Sequence, residues 1–176
     1  MFNALSLQDI RSTKDVVRWH MIRTKRQQNL AEHSYQVALI AGKLSELLGE
    51  PLTTIEERDL LRLALLHDIE EIEFGDIPTP TKKKIREAGH GDILTILEAA
   101  FWSKRGSLST PEFHASTRVR ALVRLADLIE AALFYNEEGE VHDIKRRITG
   151  DALFYAERNF PGESNEKLRL TVKEIL

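Results

Sequence analysis

Leu60, Leu61, Leu63, Ala64, Leu65 and Leu66 make a helical run that is apolar round most of its girth, so the chain must surround it with other elements. A helix of this kind belongs at the centre of a fold. Its carboxyl end changes character at once. The stretch LALLHDIEEIEFGDIPTP, from Leu63 to Pro80, sets His67 beside Asp68, adds Glu70, Glu71, Glu73 and Asp76, and closes on a Pro-Thr-Pro turn. Gly75, Pro78 and Pro80 end the helical pattern, because proline lacks an amide donor and restricts the residue before it. Packing alone gives no reason for that density of carboxylates.

The rest of the chain supplies helical neighbours. Asn29, with Glu32 three residues on, opens a stripe of Val37, Ile40, Ala41, Leu44, Leu47 and Leu48 that runs to Gly49, and Thr54 with Glu57 repeats the cap signature before the central helix. Ala4 to Met21 reads as helix with a break near Ser12 and Thr13, and Ile22 to Gln28 as a basic connector. Thr81 to Ala88 reads as a short basic helix and Asp92 to Lys104 as another. Thr110 and Pro111 open a long helix carrying Val119, Leu122, Val123, Ala126, Ile129 and Leu133 up to Asn136. Val141 to Asn159 and Glu163 to Leu176 follow, split by Pro161 and Gly162. Strand-like alternation and hairpin dipeptides do not occur. The expectation is an all-α fold of six or seven helices in one domain over residues 1–176.

Charge and composition narrow the function. A formal charge of −3 provides no global positive field for duplex nucleic acid, so an anionic ligand must be held by local Lys and Arg. The chain has no cysteine, which leaves His, Asp and Glu as its strong metal-ligand types and rules out a thiol nucleophile. The amino terminus lacks a basic flank followed by an apolar run, and no stretch reaches the roughly 18 consecutive apolar residues of a membrane span. The expected location is cytoplasmic, off the membrane.

Four residues of ligand type stand at unusual places on three strong helices: His33 in a first turn, His67 and Asp68 at the end of the central helix, and Asp127 inside an apolar stripe. Each alone has an ordinary reading, a core histidine or an Arg-paired aspartate. As a set they suit one cation. Adjacent helical residues diverge by about 100°, so His67 and Asp68 embrace one ion only from a cleft beside the helix, and His33 and Asp127 can complete it. Two imidazoles and two carboxylates fit Mn, Fe, Co, Ni or Zn better than Ca or Mg. A dication also relieves the repulsion among Asp68, Glu71 and Asp127, and acidifies a water in its open coordination positions.

His33, His67-Asp68 and Asp127 resemble the H…HD…D signature of the HD-domain metal-dependent phosphohydrolases. The segments Arg18-Trp19, Ala31 to Ser34 (AEHS), His67 to Glu71 (HDIEE) and Gly75 to Pro80 (GDIPTP) are similar, in order, to those of the bacterial 5′-deoxynucleotidases, and of the small phage HD-domain dATP triphosphohydrolases. The resemblance spans Arg18 to Asp127. It departs at His20, where the bacterial enzymes carry proline, and the chain is shorter at its carboxyl end.

The resemblance implies that His33, His67, Asp68 and Asp127 hold one divalent transition metal and that Glu71 assists hydrolysis. Glu71 also lies one turn past Asp68, where a carboxylate can orient water and exchange its proton. By the same resemblance Arg18, Trp19 and Asp76 shape the substrate site, Asp76 standing with Glu71 among the catalytic groups. Arg18 pairs either with Asp76 or with a phosphate, and Trp19 either faces base and sugar or packs in the core. Lys82 and Arg23, with Lys83, Lys84, Lys25 and Arg26 around them, are placed to neutralise a phosphate chain, which would bring an additional Mg or Mn. Glu70 and Glu73 read as ordinary surface charge.

The implied activity is hydrolysis of the 5′-phosphate ester of a 2′-deoxynucleotide. A monophosphate would yield phosphate and a triphosphate such as dATP would yield tripolyphosphate. The implied assembly is a homo-oligomer, dimer or larger. A regulatory module without catalysis would not need Glu71, and a nucleotide phosphodiesterase would not call for Arg18-Trp19 or the GDIPTP loop.

Overall fold

The structure, a computed structural model, describes residues 4–107 and 109–176. In chain order its α-helices are α1 (Leu7–Ser12), α2 (Leu30–Ser45), α3 (Thr54–Leu66), α4 (Glu71–Phe74), α5 (Thr79–Glu87), α6 (Asp92–Lys104), α7 (Pro111–His114), α8 (Thr117–Glu138), α9 (His142–Asn159) and α10 (Glu166–Ile175). Thr13–Asp15 and Glu163–Asn165 are single 3-10 turns. The fold is all-α, but the ten helical segments among the described residues exceed the six or seven expected. The surplus arises where one periodic stripe is interrupted by a short turn. Ala115, in extended conformation, divides the segment read as one helix from Pro111 onward into α7 and α8, and Ser116 caps the second piece.

Caps account for other boundaries. Asn29 Oδ1 accepts the Glu32 amide at 2.9 Å, but the Glu32 carboxylate pairs with Arg26 rather than closing a box. The reciprocal box before α3 is Thr53 with Glu56, one residue ahead of the expected Thr54 and Glu57. The helix expected to reach Met21 ends with the turn at Asp15. Val17–Arg18 (β1) instead pairs antiparallel with Gln28–Asn29 (β2), two residues each, a ribbon too short to leave an alternation signal. Between them Lys25 donates through N and Nζ to Glu138 O and Glu137 O, and Arg26 binds Glu138, so the basic connector is tied to the end of α8.

α2, α3 and α8 pack on one another, α9 covers α8 and α10 covers α9. Val37, Ala41, Leu60, Leu63, Ala64, Leu122, Leu125, Ala126 and Ile129 interlock at their centre, all nearly inaccessible. Truncating a leucine such as Leu122 to alanine is the kind of change that costs about 2–5 kcal/mol. A second, smaller cluster of Leu5, Leu66, Ile69, Phe101 and Trp102 holds the turn after α3 against α6. No helix among the described residues is long and apolar enough to cross a membrane.

α1 buries none of its own residues and is held by charge. Asp9 accepts from Arg105 at 2.7 Å, and Arg105 also reaches Glu73. The Arg105 hydrogen bond, with Ser6 adding to it, outweighs burial and lowers the Asp9 carboxyl to about 2. A depressed carboxyl stabilises the fold above its unfolded value near 4, and that contribution disappears as pH falls toward 2. An Asp9→Asn variant is therefore expected to melt below wild type at neutral pH, with the gap closing between pH 4 and 2 in thermal melts.

Candidate functional site

Three helices and one turn bring the HD motif together. The Asn29 cap fixes the start of α2, which puts His33 inside the first turn facing the core, fully buried. α3 ends at Leu66, so His67 is its cap residue and Asp68 lies in the turn that Ile69 anchors in the second cluster. Asp127 comes from the middle of α8. His33 Nε2 lies 3.3 Å from His67 Nε2, 3.4 Å from Asp127 Oδ1 and 3.9 Å from Asp68 Oδ2. Ligand atoms of His33, His67 and Asp68 all fall within 4.8 Å of one another. His67 Nδ1 is 2.9 Å from Ala64 O, so this nitrogen donates its proton there, and in the neutral ring Nε2 keeps a lone pair for the cluster.

Burial disfavours ionisation at both aspartates, but His67, Lys82 and Arg18 hold Asp68 well below the usual carboxylate range. The His33 hydrogen bond and Arg124 do the same for Asp127, whose other oxygen Arg124 reaches at 2.5 Å. His33 is raised to about 9, burial and Arg18 opposing its cation while Asp127 and Glu130 favour it. Protein charge thus surrounds a spot where several carboxylates and two imidazoles converge. The donor set and its close approach fit a divalent transition ion.

Arg18 leaves β1 toward this cluster, with Nη1 3.2 Å from Asp68 Oδ2 and 3.8 Å from Glu71 Oε2. It does not take Asp76, the alternative open in the sequence. Asp76 Oδ2 instead faces His20 Nδ1 at 3.5 Å. Glu71 opens α4 and is 3 % exposed; its Oε1 meets Lys82 Nζ at 3.4 Å and its buried Oε2 has no hydrogen-bond partner. Burial and the Asp68 charge push Glu71 up to about 8 against Lys82 and Arg18.

Most of these groups line one cleft of about 490 Å³, and the fully buried His33 is not in its lining. Arg18, His67, Asp68, Glu71, Asp76, Lys82 and Asp127 all border it. Trp19 and Arg23 do not. Trp19 stacks on Phe134 at 5.7 Å and packs at a tilt against Tyr135 at 5.4 Å, and Arg23 is exposed on the connector. The cations that line the cleft are Arg18 and Lys82 together with Arg86, Arg120 and Arg124, the last three scattered along α5 and α8. Glu73 is exposed and pairs with Lys104 and Arg105, as a surface charge would. Glu70 is not a surface charge. It lines the cleft, and burial with the neighbouring Asp68 pushes it up to about 9.

Glu130 was missed in the sequence. It lies one turn past Asp127 on α8, buried, with Oε2 at 2.5 Å from His33 Nδ1. The signal was a second carboxylate inside the same apolar stripe.

Comparison with known proteins accords with this geometry. Residues 7–149 match the family model described as 5′-deoxynucleotidase YfbR-like. A dATP triphosphohydrolase of Acinetobacter phage SH-Ab 15497 is 33% identical over 146 residues, 77% of this chain and 69% of its own. A 5′-deoxynucleotidase of Shewanella oneidensis is 32% identical over 136 residues, 71% and 69% of the two chains. The structure of the cyanophage S-2L HD phosphohydrolase DatZ, bound to dA and one catalytic Zn2+ ion, superposes with a TM-score of 0.80 at 22% identity over 97% of this chain and 95% of that one. That likeness establishes an HD-like helical fold.

Proposed function

Because this chain belongs to the YfbR-like 5′-deoxynucleotidase family, we propose that it cleaves the 5′-phosphate ester of a 2′-deoxynucleotide with one divalent transition metal held by His33, His67, Asp68 and Asp127. The observation that carries this reading is the convergence of His33, His67 and Asp68 within 4.8 Å, beside a cleft that His67, Asp68, Arg18, Glu71 and Lys82 line. When bound, such an ion supplies Lewis acidity toward a phosphoryl oxygen and lowers the pKa of water. Zn, Mn, Co, Fe and Ni all suit the donors, and the DatZ structure holds Zn2+.

The chain's own groups divide the remaining work. Glu71 Oε2, buried and without a hydrogen-bond partner, orients the attacking water and takes its proton, while Lys82 holds the other oxygen. Arg18 bridges Asp68 and Glu71 and has a buried Nε with no partner, so it can turn donors to the phosphoryl oxygens as their charge grows. Asp76, held near His20, frames the sugar side of the cleft. Arg86, Arg120 and Arg124 extend the cationic lining beyond what one phosphate needs and favour a triphosphate, with an additional Mg or Mn on the chain. The assembly proposed with this activity is a homo-oligomer in the cytoplasm, checked by light scattering of the purified protein.

The test is to incubate the protein with Zn, Mn or Co and a panel of dNMPs and dNTPs. Deoxynucleoside is expected in every productive reaction, with tripolyphosphate from dNTPs and phosphate from dNMPs distinguishing the two substrate classes. No release from any deoxynucleotide would overturn the reading and leave a non-catalytic nucleotide-binding module.

A further inference from the structure

Trp19, Gln28, Glu130 and His33 form one continuous hydrogen-bonded chain. Trp19 Nε1 donates to Gln28 Oε1 at 3.0 Å, Gln28 Nε2 donates to Glu130 Oε1 at 2.5 Å, and Glu130 Oε2 meets His33 Nδ1 at 2.5 Å. Gln28, Glu130 and His33 are 1 %, 4 % and 0 % exposed. The short ribbon pairing Val17–Arg18 with Gln28–Asn29 sets Gln28 near Trp19. Trp19 sits at φ 62, a conformation that a bulky side chain adopts only when its surroundings enforce it, and its ring packs against Phe134 and Tyr135 of α8, the helix that carries Glu130 and Asp127.

The donors and acceptors permit one polarity. An indole N–H only donates and a carboxylate only accepts, so the Gln28 amide must turn its oxygen to Trp19 and its NH2 to Glu130. The remaining Glu130 oxygen then accepts the proton of His33 Nδ1. Once a metal displaces the second proton, the neutral imidazole with its remaining proton on Nδ1 offers a lone pair on Nε2, the nitrogen that faces His67, Asp127 and Asp68.

We propose that Glu130 is a positioning residue that fixes His33 as an Nε2 metal ligand, and that Gln28 and Trp19 lock the polarity of the chain that lets it do so. The inference rests on the reading of His33 as a metal ligand. It also gives Trp19 a role away from the cleft lining, where its ring is not found. Partners that orient a ligand histidine typically change metal affinity by about 10–100-fold when removed.

Glu130→Gln keeps the shape and inverts one contact. With the new amide donating to His33 Nδ1, every other link of the chain stays satisfied, but the imidazole proton moves to Nε2 and the ligand lone pair is lost. With the new amide accepting from His33, its NH2 faces Gln28, which must flip and set its own NH2 against the Trp19 N–H. Metal binding therefore has to force a donor-donor contact. Removing the indole donor with Trp19→Phe takes that contact away.

The experiment titrates Zn2+ against a competing indicator, at one fixed pH, into wild type, His33→Ala, Glu130→Gln, Trp19→Phe and the Glu130→Gln/Trp19→Phe double variant, with circular dichroism to verify folding and Co2+ absorption to report the ligand set. Glu130→Gln is expected to bind about 10–100-fold more weakly, and the double variant to regain a large part of that loss. Such a regain is not expected from a residue that merely fills space, because a second truncation would add to the damage. Glu130→Gln binding as tightly as wild type, or a double variant no tighter than Glu130→Gln, overturns the proposal. Wild type that fails to bind, or that His33→Ala matches, overturns the metal reading itself and is distinguishable from both.

Discussion

A Glu71→Gln variant is expected to stay folded, keep its metal content and lose about 10²–10⁴-fold in kcat. Glutamine has nearly the shape of glutamate and retains an oxygen for Lys82 Nζ, 3.4 Å from Oε1. It cannot accept a proton. The Glu71 oxygen nearest Arg18 has no hydrogen-bond partner inside the protein, and the residue is 3 % exposed, so its one unsatisfied acceptor is reserved for what enters the cleft. Metal content measured on the purified variant separates this from loss of a ligand. Full activity with metal bound would remove Glu71 from the mechanism.

Asp68→Ala is expected to fail in a different way, losing both bound metal and detectable turnover. Its Oδ2 is the meeting point of the site, 3.2 Å from Arg18 Nη1, 3.4 Å from His67 Nε2 and 3.9 Å from His33 Nε2. Removing it also leaves Arg18, whose side chain is 13 % exposed, with Glu71 at 3.8 Å as its remaining close carboxylate. That lost pair lies between the surface and buried cases and is worth about 2 kcal/mol, so the metal-free variant is expected to melt below metal-free wild type. Glu71→Gln removes the charge that faces Arg18 and Lys82 but leaves the closer Arg18–Asp68 pair in place. Undiminished metal stoichiometry in Asp68→Ala would exclude Asp68 from the ligand set.

What could be read in the sequence tracks how local each feature is. His67 and Asp68 are adjacent, Glu71 follows within a turn, and a capped helix start places His33, so each stands out as a candidate within its own segment. Arg18 borders the cleft as expected, but its partner was not legible, since the choice of Asp68 and Glu71 over Asp76 depends on how β1 approaches α3 and α4. His20 took Asp76 instead. Glu70 was assigned to the surface because it is one of several carboxylates in a row, and only the turn after α3 decides which of them faces the cleft. Arg86, Arg120 and Arg124 carry no mark among the many basic residues of α5 and α8.

The sequence by itself determined that the chain is helical, where its central helix runs and which residues carry the HD signature, because helical period, caps and proline act over a few residues. The tertiary structure decided how many helices result, which cations border the cleft and where Trp19 points. Those outcomes depend on contacts between segments about a hundred residues apart, such as Gln28 and His33 with Glu130. A side chain's donor finds its acceptor only once packing has brought the two elements together.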